Sequence, residues 1–472
     1  MATRTAVVLL QLVLLALAMS AVFVHWPGHV STDSSEQLYE ALTGRSISWS
    51  PPLMSALLRW MGGGERATGH FVLLSSALTY AGLAIAVAAA AWRPLQGRLD
   101  GRGLAGLLVA LVLVLNPLVF LYVGIVWKDV LFAALVCAAC GCLLLVASLR
   151  AGRARTAGLW IAIALLAPAF WIRQQGLVLV PPLALAALVA LAGPRQGLVD
   201  RRWWPRFLGA ACVALVLFGA VQWLARWEIQ GSGAKSTSVG LVGIARYDLA
   251  GMVAAGADRG IALPGALDSP GFRDAARRSY SPDRIDIPFN DPELVRAFES
   301  VDDARLVEAL ATLVTAHPAT YAQLKLRRFG WMLGGYRLDR CLPIHVGVAA
   351  DPDRLRAVGL ESGVDRYDQR IFGASLELRS LMFYRHWFYL ALLAVCAACV
   401  FIRWRRQPGM ERNVLWAMLA GLALFYLSFL VAGMACDFRY LYPGLLATVL
   451  LALFLVCRLL LAGGVRSGRV AA

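Results

Sequence analysis

The sequence predicts a mainly α-helical, polytopic membrane protein. Three observations carry that prediction. Of 472 residues, 59% are hydrophobic, and the mean hydropathy is +0.65. Apolar runs recur along the chain, most of them close to the ~20 residues a helix needs to cross a bilayer. Arginines gather in every second connection between those runs, the pattern expected when basic loops stay on the cytoplasmic side.

The apolar runs fall at about 5–25, 70–92, 104–123, 130–149, 157–172, 177–193, 207–225, 386–402, 413–433 and 445–462, ten in all. The first follows Arg4 and ends in small residues (Ala18, Ser20, Ala21), as a signal peptide would. Its apolar length exceeds the roughly 7–15 residues of a signal-peptide core, so it reads as an uncleaved helix. The fifth and sixth runs are short, and the Pro181-Pro182 pair weakens the sixth as a helix.

One set of connections holds Arg4; Arg93, Arg98 and Arg102; Arg150, Arg153 and Arg155; Arg195, Arg201, Arg202 and Arg206; Arg403, Arg405, Arg406 and Arg412; and Arg458, Arg466 and Arg469. Only Asp100, Asp200 and Glu411 accompany them as acids. The opposite short loops mix Arg45, Arg59, Arg66, Lys128, Arg173 and Arg439 with Asp33, Glu36, Glu40, Glu65, Asp129 and Asp437. Both termini are therefore expected in the cytoplasm, and ten spans satisfy that parity. The formal net charge of +16 then belongs mostly to inner-face arginines that meet anionic lipid. No basic stripe with interleaved aromatics stands in a polar segment, so nucleic acid is not an expected partner.

This divides the chain into a transmembrane module at 1–225, with a first outer loop at 26–69, a polar extracytoplasmic domain at 226–385, and a second transmembrane module at 386–472. In the polar domain GSGAKSTSVG (231–240) reads as a flexible entry, and 241–256, 293–316 and 318–335 show helical spacing. The stretch 257–292, rich in Pro, Asp and Gly, reads as irregular. Cys137, Cys140, Cys142, Cys212, Cys396, Cys399 and Cys457 lie in apolar runs and read as packing residues rather than metal ligands, since no His or acid accompanies them. Cys341 and Cys436 both face outward, where an oxidising compartment would let them pair.

The unusual residues collect at the outer mouths of the spans. After the first run comes STDSSEQLYEA with Asp33 and Glu36, then Trp49-Ser50-Pro51-Pro52; VWKDVLF brings Lys128 and Asp129. FWIRQQG brings Arg173 and Gln174, and CDFRYLYPG brings Asp437, Arg439, Tyr440 and Tyr442. Each has an ordinary reading: Asp33 with Glu36 as a capping box, the cations snorkelling to headgroups, and Trp127, Trp171 and the tyrosines as an interfacial belt. Taken together, three cations beside acids on the face otherwise sparse in cations are what an anionic lipid-linked phosphate requires. The span centres carry almost no ionisable residue, which argues against an ion or proton pathway.

These stretches, with HPATYAQLKLRRF (317–329) and DFRYLYP, resemble the GT-C membrane glycosyltransferases along nearly the whole chain. The mannosyltransferase and aminoarabinose-transferase branch shows an adjacent Asp-Glu pair in the first loop, whereas here Ser34 follows Asp33. The resemblance implies a bacterial inner-membrane enzyme that moves a sugar, with inversion, from a polyprenyl-phosphate carrier to an extracytoplasmic glycan, lipid or protein acceptor.

Asp33 would be the general base; Lys128, Arg173 and Arg439 would hold the donor phosphate; and Glu36, Asp129, Gln174, Asp437 and Tyr440 would support them. No cofactor is firmly indicated. Mg²⁺ or Mn²⁺ would need Asp33 to converge with Asp129 or Asp437, and no histidine cluster suggests another metal. A transporter or flippase of lipid-linked saccharides would instead show inverted repeats and charged breaks at mid-membrane, which the sequence lacks. A polysaccharide polymerase or ligase would use outer arginines on a diphosphate-linked donor, and an intramembrane hydrolase would need a catalytic set within the spans.

Overall fold

The computed structural model describes residues 3–48, 50–91, 99–193, 202–230, 238–336, 341, 344–406 and 409–461. Trp49, Arg93, Arg98, Arg195, Arg201, Arg466, Arg469 and most of the 231–240 entry stretch lie outside the described residues. The chain is a polytopic α-helical membrane protein. Nine helices among the described residues are long and apolar enough to cross a membrane, and Gly176–Ala192 is a shorter apolar helix. Together they match the ten expected runs.

The helices in chain order are α1 (Thr3–His25), α2 (Thr32–Thr43), α3 (Leu53–Trp60), α4 (Gly64–Ala90), α5 (Gly101–Val114), α6 (Pro117–Tyr122), α7 (Lys128–Ser148), α8 (Arg153–Ile172), α9 (Gly176–Ala192) and α10 (Trp203–Glu228). The polar segment supplies α11 (Ser238–Ala254), α12 (Pro270–Ser279), α13 (Asp286–Phe289), α14 (Pro292–Glu299), α15 (Asp303–Ala316), α16 (Pro318–Met332), α17 (Pro352–Ala357) and α18 (Arg366–Leu378). The bundle closes with α19 (His386–Trp404), α20 (Met410–Ala432) and α21 (Tyr442–Val456).

Two apolar runs carry prolines, with different outcomes. The run at 104–123 is broken: Asn116 accepts from the Leu118 N–H at 3.0 Å and Pro117 opens α6, because proline fits a first turn and cannot continue the helix before it. The Asn116 amide donates to the Tyr389 hydroxyl at 2.7 Å, tying this break to α19. Pro181 and Pro182, by contrast, sit inside an intact α9, which packs against α8 and α20. Packing overrides the proline penalty there.

The bundle's central crossing is α4 on α7. A Cβ added to Gly141 would lie 2.5 Å from the Gly82 carbonyl oxygen, and one on Gly82 would lie 2.8 Å from Cys137. Small residues at such a crossing let two backbones approach closely. That contact fixes the lateral position of α7, whose first turn carries Lys128 and Asp129.

The stretch at 257–292 is less irregular than its composition suggests. Ser269 caps α12, accepting from the Phe272 N–H, and Pro270 takes the first helical position. Leu249, Met252, Leu267, Phe272, Leu294 and Leu313 form a core separate from that of the bundle. The expected single helix at 293–316 is two, because Asp302 caps a new start at α15, accepting from the Arg305 N–H at 2.9 Å. Cys341 and Cys436 form a disulfide, which ties the polar segment to the loop before α21.

Candidate functional site

The ends of α1, α6, α8 and α20 and the starts of α7, α9, α19 and α21 lie at one end of the bundle, and the residues singled out in the sequence meet there. The segment between α1 and α2 is held on two sides. His29 N–H donates to Gly124 O at 2.9 Å and Val126 N–H to His29 O at 3.0 Å; Val30 N–H donates to Gly347 O and Ala349 N–H to Val30 O, both at 2.9 Å. Burial, with His25 and His345 nearby, pushes the His29 imidazole well below its ordinary range. Its Nδ1 accepts the Gly347 N–H at 3.0 Å and lies 3.3 Å from Asp368 Oδ1. This clamp delivers Ser31, where α2 begins.

Asp33 is not the cap of α2. Ser31 occupies that position, with its N–H donating to Ser34 Oγ at 3.2 Å, and Ser34 Oγ donating on to Val126 O at 2.7 Å. The expected Asp33–Glu36 capping box is therefore replaced by a serine pair two residues earlier. The physical reason is register: Ser31 has the extended backbone of a cap, and Asp33 falls in the first helical turn. Its carboxylate is free to point elsewhere. Asp33 Oδ2 lies 2.6 Å from Arg439 Nη1, with the Asp33 side chain 46% exposed and that of Arg439 14%.

Arg439 is held from several directions. Its Nε lies 2.6 Å from Asp437 Oδ2, and its own N–H donates to Asp437 Oδ1 at 3.2 Å. The guanidinium stands 4.9 Å from the Trp127 ring centre and 5.4 Å from that of Tyr440. Trp127 is itself fixed by its indole N–H, which donates to Ser31 Oγ at 2.7 Å. The cap of α2, the start of α7 and the turn before α21 thus form one connected unit.

Beside this unit lies a deeper ion pair. Arg173, at the end of α8, pairs with Asp129 in the first turn of α7, with side chains only 4% and 2% exposed. Arg173 also donates from Nε to Gln175 Oε1 at 2.8 Å and from Nη1 to Tyr440 O at 3.2 Å. Its guanidinium stands 5.4 Å from the Phe429 ring centre. Lys128 Nζ donates to Ser50 Oγ at 2.8 Å. Three carboxylates (Asp33, Asp129, Asp437) thus balance three cations (Lys128, Arg173, Arg439), and Asp33 is the most exposed member of the three arginine pairs.

The other expected residues fall differently. Glu36 pairs with Arg354 of α17 at 3.2 Å; burial raises its carboxyl above the usual range while Arg354 pulls the other way. Gln174 is exposed, and the neighbouring Gln175 makes the contact to Arg173. Tyr440 meets the two arginines with its ring and carbonyl. Asp33, Asp129 and Asp437, the carboxylates that a hard cation would need, each lie against an arginine. Among the described residues no group of three or more His, Cys, Asp or Glu side chains is placed to hold a metal ion.

Glu40 is a residue whose role the sequence reading missed. Fully buried, it accepts the N–H groups of Ile47 at 2.8 Å and Ser48 at 2.7 Å on one oxygen, and the Ser55 hydroxyl at 2.6 Å on the other. It thereby shapes the loop that presents Ser50 to Lys128. A signal was present in Gly44, which adopts φ 69° at the end of α2 and turns the following residues back past Glu40.

No protein-family model matches the sequence, and no curated protein matches it either. Among solved structures the chain is similar to a crystal structure of the Archaeoglobus fulgidus oligosaccharyltransferase in complex with Zn and sulfate, at 14% identity and a TM-score of 0.37. The match covers 94% of this chain and 48% of that one, so this chain spans about half the length of that protein.

Proposed function

We propose that the chain is a membrane glycosyltransferase of the GT-C type, which moves a sugar from a polyprenyl-phosphate carrier to a hydroxyl-bearing acceptor on the outer face of the membrane. The observation that carries this reading is the half-exposed Asp33 carboxylate, at the wet edge of a cluster containing Lys128, Arg173 and Arg439 at one end of the spans.

In this reading the acceptor oxygen attacks the anomeric carbon and the bond from that carbon to the phosphate oxygen breaks. The phosphate leaves with the bonding electron pair, and the acceptor proton passes to Asp33. A single displacement inverts the anomeric centre. Arg439 and Lys128 offset the charge that develops on the leaving phosphate, while the buried Asp129–Arg173 pair holds the helix ends in place. The isoprenoid tail remains among the apolar helices, which explains a reaction centre at their mouths.

The test is to incubate the purified protein, in lipid nanodiscs, with defined polyprenyl-monophosphate sugars and candidate acceptors. Acceptor-dependent release of polyprenyl monophosphate is expected. Failure of every such donor, together with turnover of diphosphate-linked chains, would replace this reading with a polymerase or ligase.

A further inference from the structure

We infer that Arg439 is a shared seat, contested by Asp33 and the donor phosphate, so that donor binding frees Asp33 from its ion pair. This rests on the donor reading above and adds an order of events to it.

The geometry leaves the phosphate few routes to Arg439. The Nε edge is taken by Asp437 at 2.6 Å, and aromatic rings of Trp127 and Tyr440 lie at 4.9 Å and 5.4 Å from the guanidinium. A phosphate oxygen seeking in-plane N–H donors therefore approaches the Nη edge, where Asp33 sits at 2.6 Å. Guanidinium groups bind phosphate and carboxylate through the same planar fork, so the two anions compete.

Asp33 is the carboxylate that yields. Asp437 holds Arg439 twice, through its guanidinium and its backbone N–H, and its side chain is 32% exposed. Asp33 holds it through one pair at 46% exposure, and exposed pairs are weak. Its displacement leaves α2 intact, because the cap there is Ser31 with Ser34.

The consequence is chemical. While Asp33 Oδ2 stands against the Arg439 guanidinium, the carboxylate is held toward Arg439 and shares its charge with that cation. Once the donor phosphate occupies Nη1, that oxygen is free beside the phosphate it must serve. Donor binding thus turns the whole carboxylate over to the acceptor.

The test is equilibrium binding of a polyprenyl monophosphate to the full-length protein in nanodiscs, comparing wild type with Asp33→Asn, Asp33→Ala and Glu293→Gln. Removal of the competing carboxylate should tighten binding about two- to fivefold in both Asp33 variants, the range expected for loss of one exposed pair. Glu293→Gln should leave affinity unchanged, because Glu293 pairs with Arg278 in the polar segment. Equal or weaker binding in both Asp33 variants overturns the competition. Absence of binding in the wild type overturns the donor reading, and the competition with it.

Discussion

Asp129 and Arg173 form an ion pair sealed from solvent between the first turn of α7 and the end of α8, with side chains 2% and 4% exposed. Removing one partner strands the other charge where water cannot reach it, which typically costs about 3–5 kcal/mol. Arg173→Ala and Asp129→Ala are therefore expected to lower the thermal unfolding midpoint in detergent sharply. Asp33→Ala, at the exposed edge, should cost about 1 kcal/mol or less. Equal losses at the buried and exposed sites would contradict the division between scaffold and reacting edge.

Arg439→Lys retains the charge and loses the fork. A lysine ammonium is a point charge and cannot hold Asp33 and Asp437 on two separate edges. Donor kcat/KM is expected to fall about 10- to 100-fold, the scale of a lost charged hydrogen bond, while folding is retained. A lysine variant with wild-type kinetics would remove Arg439 from the donor site.

Glu40→Ala leaves the Ile47 and Ser48 N–H groups without their acceptor in a buried loop. Each such orphan typically costs about 1–3 kcal/mol. The variant is expected to lose stability and, through the displaced Ser50 and Lys128, turnover. Glu40→Gln keeps one carbonyl oxygen for both N–H groups and should restore much of each. Turnover unchanged in both variants would show that this loop does not serve the site.

Chelation tests the charge balance. A monophosphate leaving group asks for less neutralisation than a diphosphate, and Lys128 with Arg439 can supply it. Activity is expected to survive exhaustive EDTA treatment. Loss on chelation, restored by Mg²⁺ or Mn²⁺, would show that a cation assists.

Most of the architecture was legible because the length and apolarity of a span are local properties of a chain. The four helix mouths that carry Asp33, Lys128–Asp129, Arg173 and Asp437–Arg439 could be read the same way. What the sequence could not show was who pairs with whom. That Arg439 reaches Asp33 as well as its near neighbour Asp437, while Arg173 takes Asp129, depends on two contacts that each span more than 40 residues of chain. The α2 cap was misassigned by two residues because Ser31, Asp33 and Ser34 all belong to cap-forming types, and only backbone geometry chooses among them. Gln175 was passed over for Gln174 for the same reason: adjacent, identical residues differ only in the direction they face.

The central claim is that Asp33 takes the acceptor's proton. It is tested most directly by single-turnover transfer from a polyprenyl-monophosphate sugar, prebound to wild type and to Asp33→Asn in nanodiscs. The Asn variant should hold the donor at least as tightly, unfold at nearly the wild-type temperature, and release no polyprenyl phosphate to the acceptor. Transfer by Asp33→Asn at a rate near that of the wild type would contradict the assignment.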